Sequence, residues 1–230
     1  KSLIPMKKYL FILVGVAISV FASAQNTDSR DITPFDKLKV IGEVKVYLQR
    51  DSVEHISVKT YDVPTSDIHT EVKGKTLEVA LKANIYKSVK ADIYVYYREL
   101  RDISLSAAAS ISLNDTLTGD KVVINANTSS EFDGGLNVET ADIVVGQGST
   151  VRVRGAVKNY EAKVNTGGVL SALDLVSDST FVTVSTGAIA KVNASRLIDA
   201  KVRTGGSLTY TGNPKQKSIN TLMGATIVEQ

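Results

Sequence analysis

Cysteine and tryptophan are absent from this 230-residue chain, and histidine occurs only twice. Without cysteine no disulfide can staple the fold and no lipidated cysteine can anchor it, so stability has to come from a continuous hydrophobic core. His55 and His69 stand well apart with no further ligands marked by spacing. They read as surface histidines, not as a zinc centre. No G-x-S-x-G, P-loop or dinucleotide fingerprint occurs. No catalytic residue, metal ligand or cofactor-binding residue is therefore assigned, and no cofactor is expected. Helical periodicity is missing as well, since nothing in residues 35–100 follows the 3.6-residue pattern of an amphipathic helix.

Charge of one sign is lacking once the N-terminus is considered. Lys7 and Lys8, the largely apolar residues 9–21, and Ala22-Ser23-Ala24 follow one another as the basic, hydrophobic and cleavage regions of a secretory signal peptide over residues 1–24. Residues 1–5 precede Met6, the expected initiator. The apolar run is too short for a spanning helix, which takes about twenty residues. Cleavage would remove Lys1, Lys7 and Lys8 and no acid, so the formal charge of +3 would fall to zero. A neutral chain has no electrostatic bias toward nucleic acid or an anionic membrane. The expectation is export to the periplasm, the cell surface or the exterior, with no nucleic-acid partner and no stable membrane insertion of the mature chain.

What the sequence has in abundance is alternation. Residues 25–34 read as a short, polar, flexible lead to a single domain over 35–230. Val44, Val46 and Leu48 share one face, with Lys45, Tyr47 and Gln49 on the other and Gly42 as a break before them; a period of two means strand. More strands are expected near residues 68–72 and 76–81, joined by the tight turn Lys73-Gly74-Lys75, and over 91–97. In the second half, 101–230, a repeat takes over. LSAAASI, ANTSSEF, VGQGSTV, VNTGGVL, VSTGAIA, VRTGGSL and TLMGATI begin at Leu105, Ala126, Val145, Val164, Val184, Val202 and Thr221, in steps of 18 to 21 residues. Regular periods near twenty signify stacked supersecondary units. The Leu-x-x-Leu-x-Leu frame of leucine-rich repeats is missing, and each period carries β-branched alternation instead, as in Phe181-Val182-Thr183-Val184. The fold class is therefore all-β: a parallel β-helix-like solenoid of about seven rungs, preceded by a strand-rich half (35–100) of the same solenoid or sheet.

Stacking rungs about 4.8 Å apart forces equivalent positions to choose their residues together. The fourth and fifth positions of the repeat hold only Gly, Ala or Ser, among them Gly148, Gly167, Gly168, Gly187, Gly205, Gly206 and Gly224. These glycines are expected at the sharp corners of the coil, where a Cβ is costly. Their TGG triplets have no helix after them and do not read as phosphate cradles. The first and seventh positions should point inward, and the third, mostly Thr, should form a polar ladder.

At these residues the chain resembles the head GIN domain family of auto-transporter adhesins, found mainly in Bacteroidetes. The resemblance runs from Phe35, Leu38, Val40, Gly42, Val44 and Val46, through Lys73-Gly74-Lys75-Thr76-Leu77 and residues 93–105, to the repeats ending at Ala225. It implies a right-handed parallel β-helix-like fold, export and an adhesive role, and it supplies no catalytic residues. Ala107 to Ala109 and Thr128 to Ser130 depart from the glycine-rich pattern.

Three functions are weighed. The first is a non-enzymatic module that binds a cell-surface glycan or protein, or serves the envelope structurally. Its candidate ligand-binding residues are Tyr86, Tyr94 and Tyr96, because rigid amphipathic rings exposed together suit such surfaces. The second is a carbohydrate-active β-helix lyase or glycosidase, which would need Glu131, Asp133 and Lys163 to converge around a cleft. Turn chemistry also accounts for Asp133-Gly134-Gly135. The third is a homo-oligomeric envelope protein that stacks through its last rung, near residues 219–228.

Overall fold

The computed structural model describes residues 25–61, 63–82 and 90–230. The signal-peptide reading of residues 1–24 and the candidate Tyr86 lie outside the described residues. Among the described residues eighteen strands join into one hydrogen-bonded sheet wound as a β-solenoid of about seven turns. The one helical element among the described residues is a 3₁₀ turn at Thr65–Asp67.

The repeat half is a parallel coil. Strands β9 (Ser110–Ala126), β10 (Glu131–Val145) and β11 (Thr150–Val164) each wrap most of a turn. Later turns are divided into β12 (Val169–Ala172) with β13 (Leu175–Val184), β14 (Ile189–Asn193) with β15 (Leu197–Arg203), and β16 (Ser207–Thr211) with β17 (Gln216–Leu222), followed by β18 (Thr226–Glu229). Register makes columns. Ile111, Phe132, Val151, Leu170, Ala190, Leu208 and Ile227 stack in one, and Ile124, Ile143, Ala162, Val182, Ala200 and Ile219 in another. Both columns are buried until the last turn. Inward–outward alternation slips in β11 at Gly155–Ala156 and again at Lys158–Asn159, where consecutive residues are exposed and the strand bends to the next side.

One corner of each turn from Ala107 on is a pair of residues in the left-handed region: Ala107–Ala108, Thr128–Ser129, Gln147–Gly148, Thr166–Gly167, Thr186–Gly187, Thr204–Gly205 and Met223–Gly224. Two successive positive φ angles closed by an i to i+3 bond, such as Gly168 N–H to Asn165 O at 2.9 Å, make a type I′ turn. The left-handed residues thus occupy the third and fourth repeat positions. At the fifth position Gly168 and Gly206 do not have positive φ; they are buried, and a Cβ on them would lie 2.8 and 2.9 Å from the carbonyl oxygens of Val145 and Val184. The expected threonine ladder is confined, among the described residues, to Thr128 Oγ1 donating to Gln147 Oε1 at 2.7 Å. Backbone takes its place: Gly148 N–H donates to Thr166 O, Gly167 N–H to Thr186 O and Gly187 N–H to Thr204 O, all at 3.1 Å.

The N-terminal half joins the coil in an order that differs from the chain. Strands β2 (Lys37–Ile41) and β3 (Lys45–Arg50) form one turn, β6 (Thr76–Leu81) and β7 (Lys90–Tyr97) another, and β8 (Asp102–Ser106) leads into β9. The β2–β3 turn is sandwiched, parallel to β6–β7 on one side and to β8–β9 on the other. Beyond it, β4 (His55–Tyr61) and β5 (Ile68–Lys73) pair antiparallel with β7 and β6 and finish this end of the coil. Residues 25–34, expected as a flexible lead, are instead mostly strand. Strand β1 (Gln25–Asp31) pairs antiparallel with β4 over its whole length. Arg30 fastens it by donating to Ile68 O, Thr65 O and Thr70 Oγ1, each at 2.8 Å.

The opposite end is covered in part by polar side chains, while Ile219 in the same rung is 39% exposed. Inward positions that hold Ile198, Val202 and Tyr210 one rung earlier carry Lys217, Thr221 and Glu229. Lys217 Nζ donates to Glu229 Oε1, and Tyr210 OH donates to Glu229 Oε2 at 2.7 Å. A terminal rung of a solenoid needs such a polar outer layer.

Candidate functional site

Alternation in the first turns turns hydrophobic residues inward and aromatics outward. In β3, β7 and β4 the side chains of Val46, Leu48, Ile93, Val95, Ile56 and Val58 are buried in the core. Their neighbours face out and are set side by side by register: Lys45, Asp92 and Lys59 in one row, Tyr47, Tyr94 and Ser57 in the next, Gln49, Tyr96 and His55 in the third. Tyr47, Tyr94, Tyr96 and His55 are partly exposed.

The rings are not independent. Tyr47 and Tyr94 stack with centroids 5.1 Å apart and planes at 21°, and His55 lies on Tyr96 at 4.0 Å and 8°. Offset stacking of this kind contributes about 0.5–1.5 kcal/mol beyond area burial and fixes the ring planes. Lys59 Nζ sits 4.7 Å from the Tyr94 centroid, a cation–π contact that tethers a long side chain over the patch. Burial, and after it the Asp92 carboxylate, pushes the Tyr47 phenol above its usual range, so it stays a neutral donor. The result is a rigid surface of four flat rings with hydroxyl, imidazole, ammonium and carboxylate groups around them. Such a surface can stack on sugar faces or apolar protein side chains and bond their polar groups.

Of the sequence candidates, Tyr94 and Tyr96 come together here. Tyr47 and His55 were missed as members: the alternation placed Tyr47 outward, yet only the register of β3 and β4 against β7 shows that both meet the other rings. Tyr97 takes the inward side of β7 and is 2% exposed. The glycines Gly148, Gly167, Gly187, Gly205 and Gly224 line one corner of the coil, with Gly168 and Gly206 beside them.

The acids considered for catalysis occupy other ground. Glu131 pairs with Arg152, and Asp133 with Arg154 at 2.7 Å, each one rung away. Lys163 pairs with Glu161 at 2.8 Å on its own strand. His69 meets Glu71 at 3.2 Å on β5. Among the described residues no three His, Cys, Asp or Glu side chains gather as a metal site, and no helix is long and apolar enough to cross a membrane.

The family model described as "Putative auto-transporter adhesin, head GIN domain" matches residues 34–214. A crystal structure of a "putative adhesin" from Bacteroides fragilis superposes with a TM-score of 0.82 at 19% identity, covering 91% of this chain and 98% of that one. One from Parabacteroides merdae gives 0.71 at 15%, covering 91% and 97%. A "putative lipid binding protein" from Parabacteroides distasonis gives 0.67 at 18%, covering 90% and 98%. Identities this low speak for the fold alone. No curated protein matches the chain.

Proposed function

The chain belongs to the family described as "Putative auto-transporter adhesin, head GIN domain", and on that premise we propose that it is an exported, non-enzymatic binding module that recognises a cell-surface glycan or protein through its tyrosine face. The observation that carries the reading is the ordered stacking of Tyr47 on Tyr94 and His55 on Tyr96 across three neighbouring strands. Aromatic rings whose rotamers are already fixed lose little entropy when they are covered, and residues of this type dominate recognition surfaces. The turns of the coil beyond them act as a stem. The competing carbohydrate-active enzyme needs carboxylates free to exchange protons in one groove. Glu131 and Asp133 are held by arginines, and Lys163 is committed to Glu161; this arrangement supports binding over catalysis.

The test is a glycan array and an envelope-extract pull-down run in parallel with wild type and a Tyr94→Ala/Tyr96→Ala variant. Loss of at least tenfold in apparent affinity is expected in a variant that stays folded, its melting temperature lowered only by the loss of the two ring stacks. Equal capture by both proteins would count against this face.

The far end of the coil favours a second reading, assembly with another copy. In β17 and β18 and the corner between them, Leu222, Met223 and Val228 are 57%, 81% and 44% exposed, beside strand edges that pair on one side only among the described residues. Sedimentation of the wild type against Leu222→Lys distinguishes this reading: a dimer that the charge dissolves supports it.

A further inference from the structure

The two ends of the Tyr94–Tyr47 stack are not alike. The rings stand on neighbouring strands with centroids 5.1 Å apart and planes at 21°, close to the strand spacing of about 4.8 Å. They therefore stand on edge, with their edges outward and their faces along the coil. Each ring covers one face of the other, which leaves one face at either end of the pair. Register sets a serine beside each of those faces: Ser57 of β4 beside Tyr94, and Ser112 of β9 beside Tyr47.

A serine is too short to cover a ring, so each end forms a slot. At the Ser57 end the slot is filled, because Lys59, the next outward residue of β4, lays its ammonium 4.7 Å from the Tyr94 centroid. At the Ser112 end the next outward residue is Ser110, again short. Among the described residues no other ring and no ammonium or guanidinium lies against Tyr47.

The far wall of this second slot is the following strand. Asp133 of β10 stands in register with Ser112, and Glu131 with Ser110, so the backbones that carry Tyr47 and Asp133 are about 9.6 Å apart, twice the strand spacing. Asp133 Oδ1 accepts from Arg154 Nη1 at 2.7 Å, and Glu131 Oε1 accepts from Arg152 Nη1. Each acid is neutralised by its arginine and keeps a second oxygen as an acceptor.

Three unlike sides describe the ligand. A ring in van der Waals contact with Tyr47 lies about 4 Å from it, directly over Ser112. The negative face of the phenol attracts C–H groups. Below are the hydroxyls of Ser110 and Ser112, and opposite are carboxylate oxygens that only accept. An apolar protein side chain or a flat aromatic guest would suit Tyr47 and strand those polar groups away from water. A pyranose, with a C–H face and hydroxyls around its rim, meets all three sides. Resting on the reading of the tyrosine face as a binding surface, the geometry points to a pyranose subsite over Ser112, in which the sugar lays its C–H face on Tyr47 and donates a hydroxyl to Asp133. β-Galactosides and β-mannosides carry an axial hydroxyl opposite a C–H face and so match both walls, whereas a β-glucoside, with every hydroxyl equatorial, presents C–H groups to both.

The purified protein is titrated by calorimetry and saturation-transfer NMR with methyl β-galactoside, β-mannoside and β-glucoside, and with sorbitol as an acyclic polyol. The galactoside or the mannoside should bind saturably and more tightly than the glucoside or sorbitol, with the strongest transfer at the protons of its C–H face. Tyr47→Ala should weaken binding at least tenfold. Ser112→Tyr extends the stack into the slot, and should abolish binding while melting at or above the wild-type temperature. Ser171→Tyr puts the same side chain in the same outward column, beyond Asp133 and Arg152, and should bind as the wild type does. Wild-type affinity in Ser112→Tyr, or no saturable binding of any pyranoside, would overturn the subsite. If no pyranoside binds while capture of an envelope protein still depends on Tyr94 and Tyr96, the subsite fails and the tyrosine face stands, so the two failures are read apart.

Discussion

Gly155→Ala probes the mechanics of the coil at its tightest point. Gly155 has φ +115°, and a Cβ built on it would stand 2.1 Å from the carbonyl oxygen of Leu136 and 3.2 Å from that carbonyl carbon. Both atoms are backbone of the rung before, fixed by the register Leu136 to Gly155 to Leu175 and by the bond from Gly155 N–H to Asp174 O at 2.8 Å. No side chain can rotate away, so the rungs themselves must separate. The conformational penalty alone is about 1–2 kcal/mol, and with the backbone clash the loss should reach about 3–5 kcal/mol. Gly167→Ala supplies the contrast. Gly167 has φ +69° with nothing within 4 Å of where its Cβ would stand, and the same corner position carries Ala108 at φ 64° and Ser129 at φ 58°. Its loss should stay near 1 kcal/mol. Urea unfolding followed by circular dichroism measures both through their midpoints. If Gly155→Ala is no more damaging than Gly167→Ala, the reasoning from rung contact fails.

Thr166, Thr186 and Thr204 are β-branched residues at φ 49°, 55° and 54°, so replacing each by Asn, the residue type I′ turns favour, should raise stability by about 0.5–1 kcal/mol in the same assay. Tyr160 is 1% exposed and its hydroxyl has no partner; Tyr160→Phe should stabilise the protein by about 1 kcal/mol, read as a higher melting temperature. The Lys217 ammonium, and after it the Tyr210 hydroxyl, hold the Glu229 carboxyl below the ordinary carboxylate range. A depressed acid stabilises the fold above its unfolded value, near 4.3, and loses that contribution as pH falls through the folded one. The protection of β17 and β18 amides, taken relative to their intrinsic exchange rate at each pH, should therefore fall below about pH 4, and Glu229→Gln should remove the dependence.

The repeat half was legible because stacking imposes one demand on every rung. Val164, Val184 and Val202 are inward, and the corners recur at Thr166–Gly167, Thr186–Gly187 and Thr204–Gly205. Small residues at two adjacent positions gave no way to tell that the fourth needs a left-handed backbone while the fifth lacks room. The insertion of β2–β3 between β6–β7 and β8–β9 was not legible. Lys45 pairs with both Asp92 and Ser110, and alternation assigns a face to each strand without assigning its neighbour. The tyrosine face follows the same limit: Tyr94 and Tyr96 stand on one strand, whereas Tyr47 and His55 reach them only through long-range register. Strand β1 was hidden because an edge strand of polar residues needs no apolar face; Arg30 fastens it instead.

Hydrogen-exchange footprinting of the protein with and without a bound envelope fraction tests the central claim most directly. The account predicts new protection on β3, β4 and β7, around Tyr47, His55, Tyr94 and Tyr96, with the corners from Thr166 to Gly205 unchanged. Protection confined to β13 through β16, with β3, β4 and β7 exchanging as in the free protein, would contradict it.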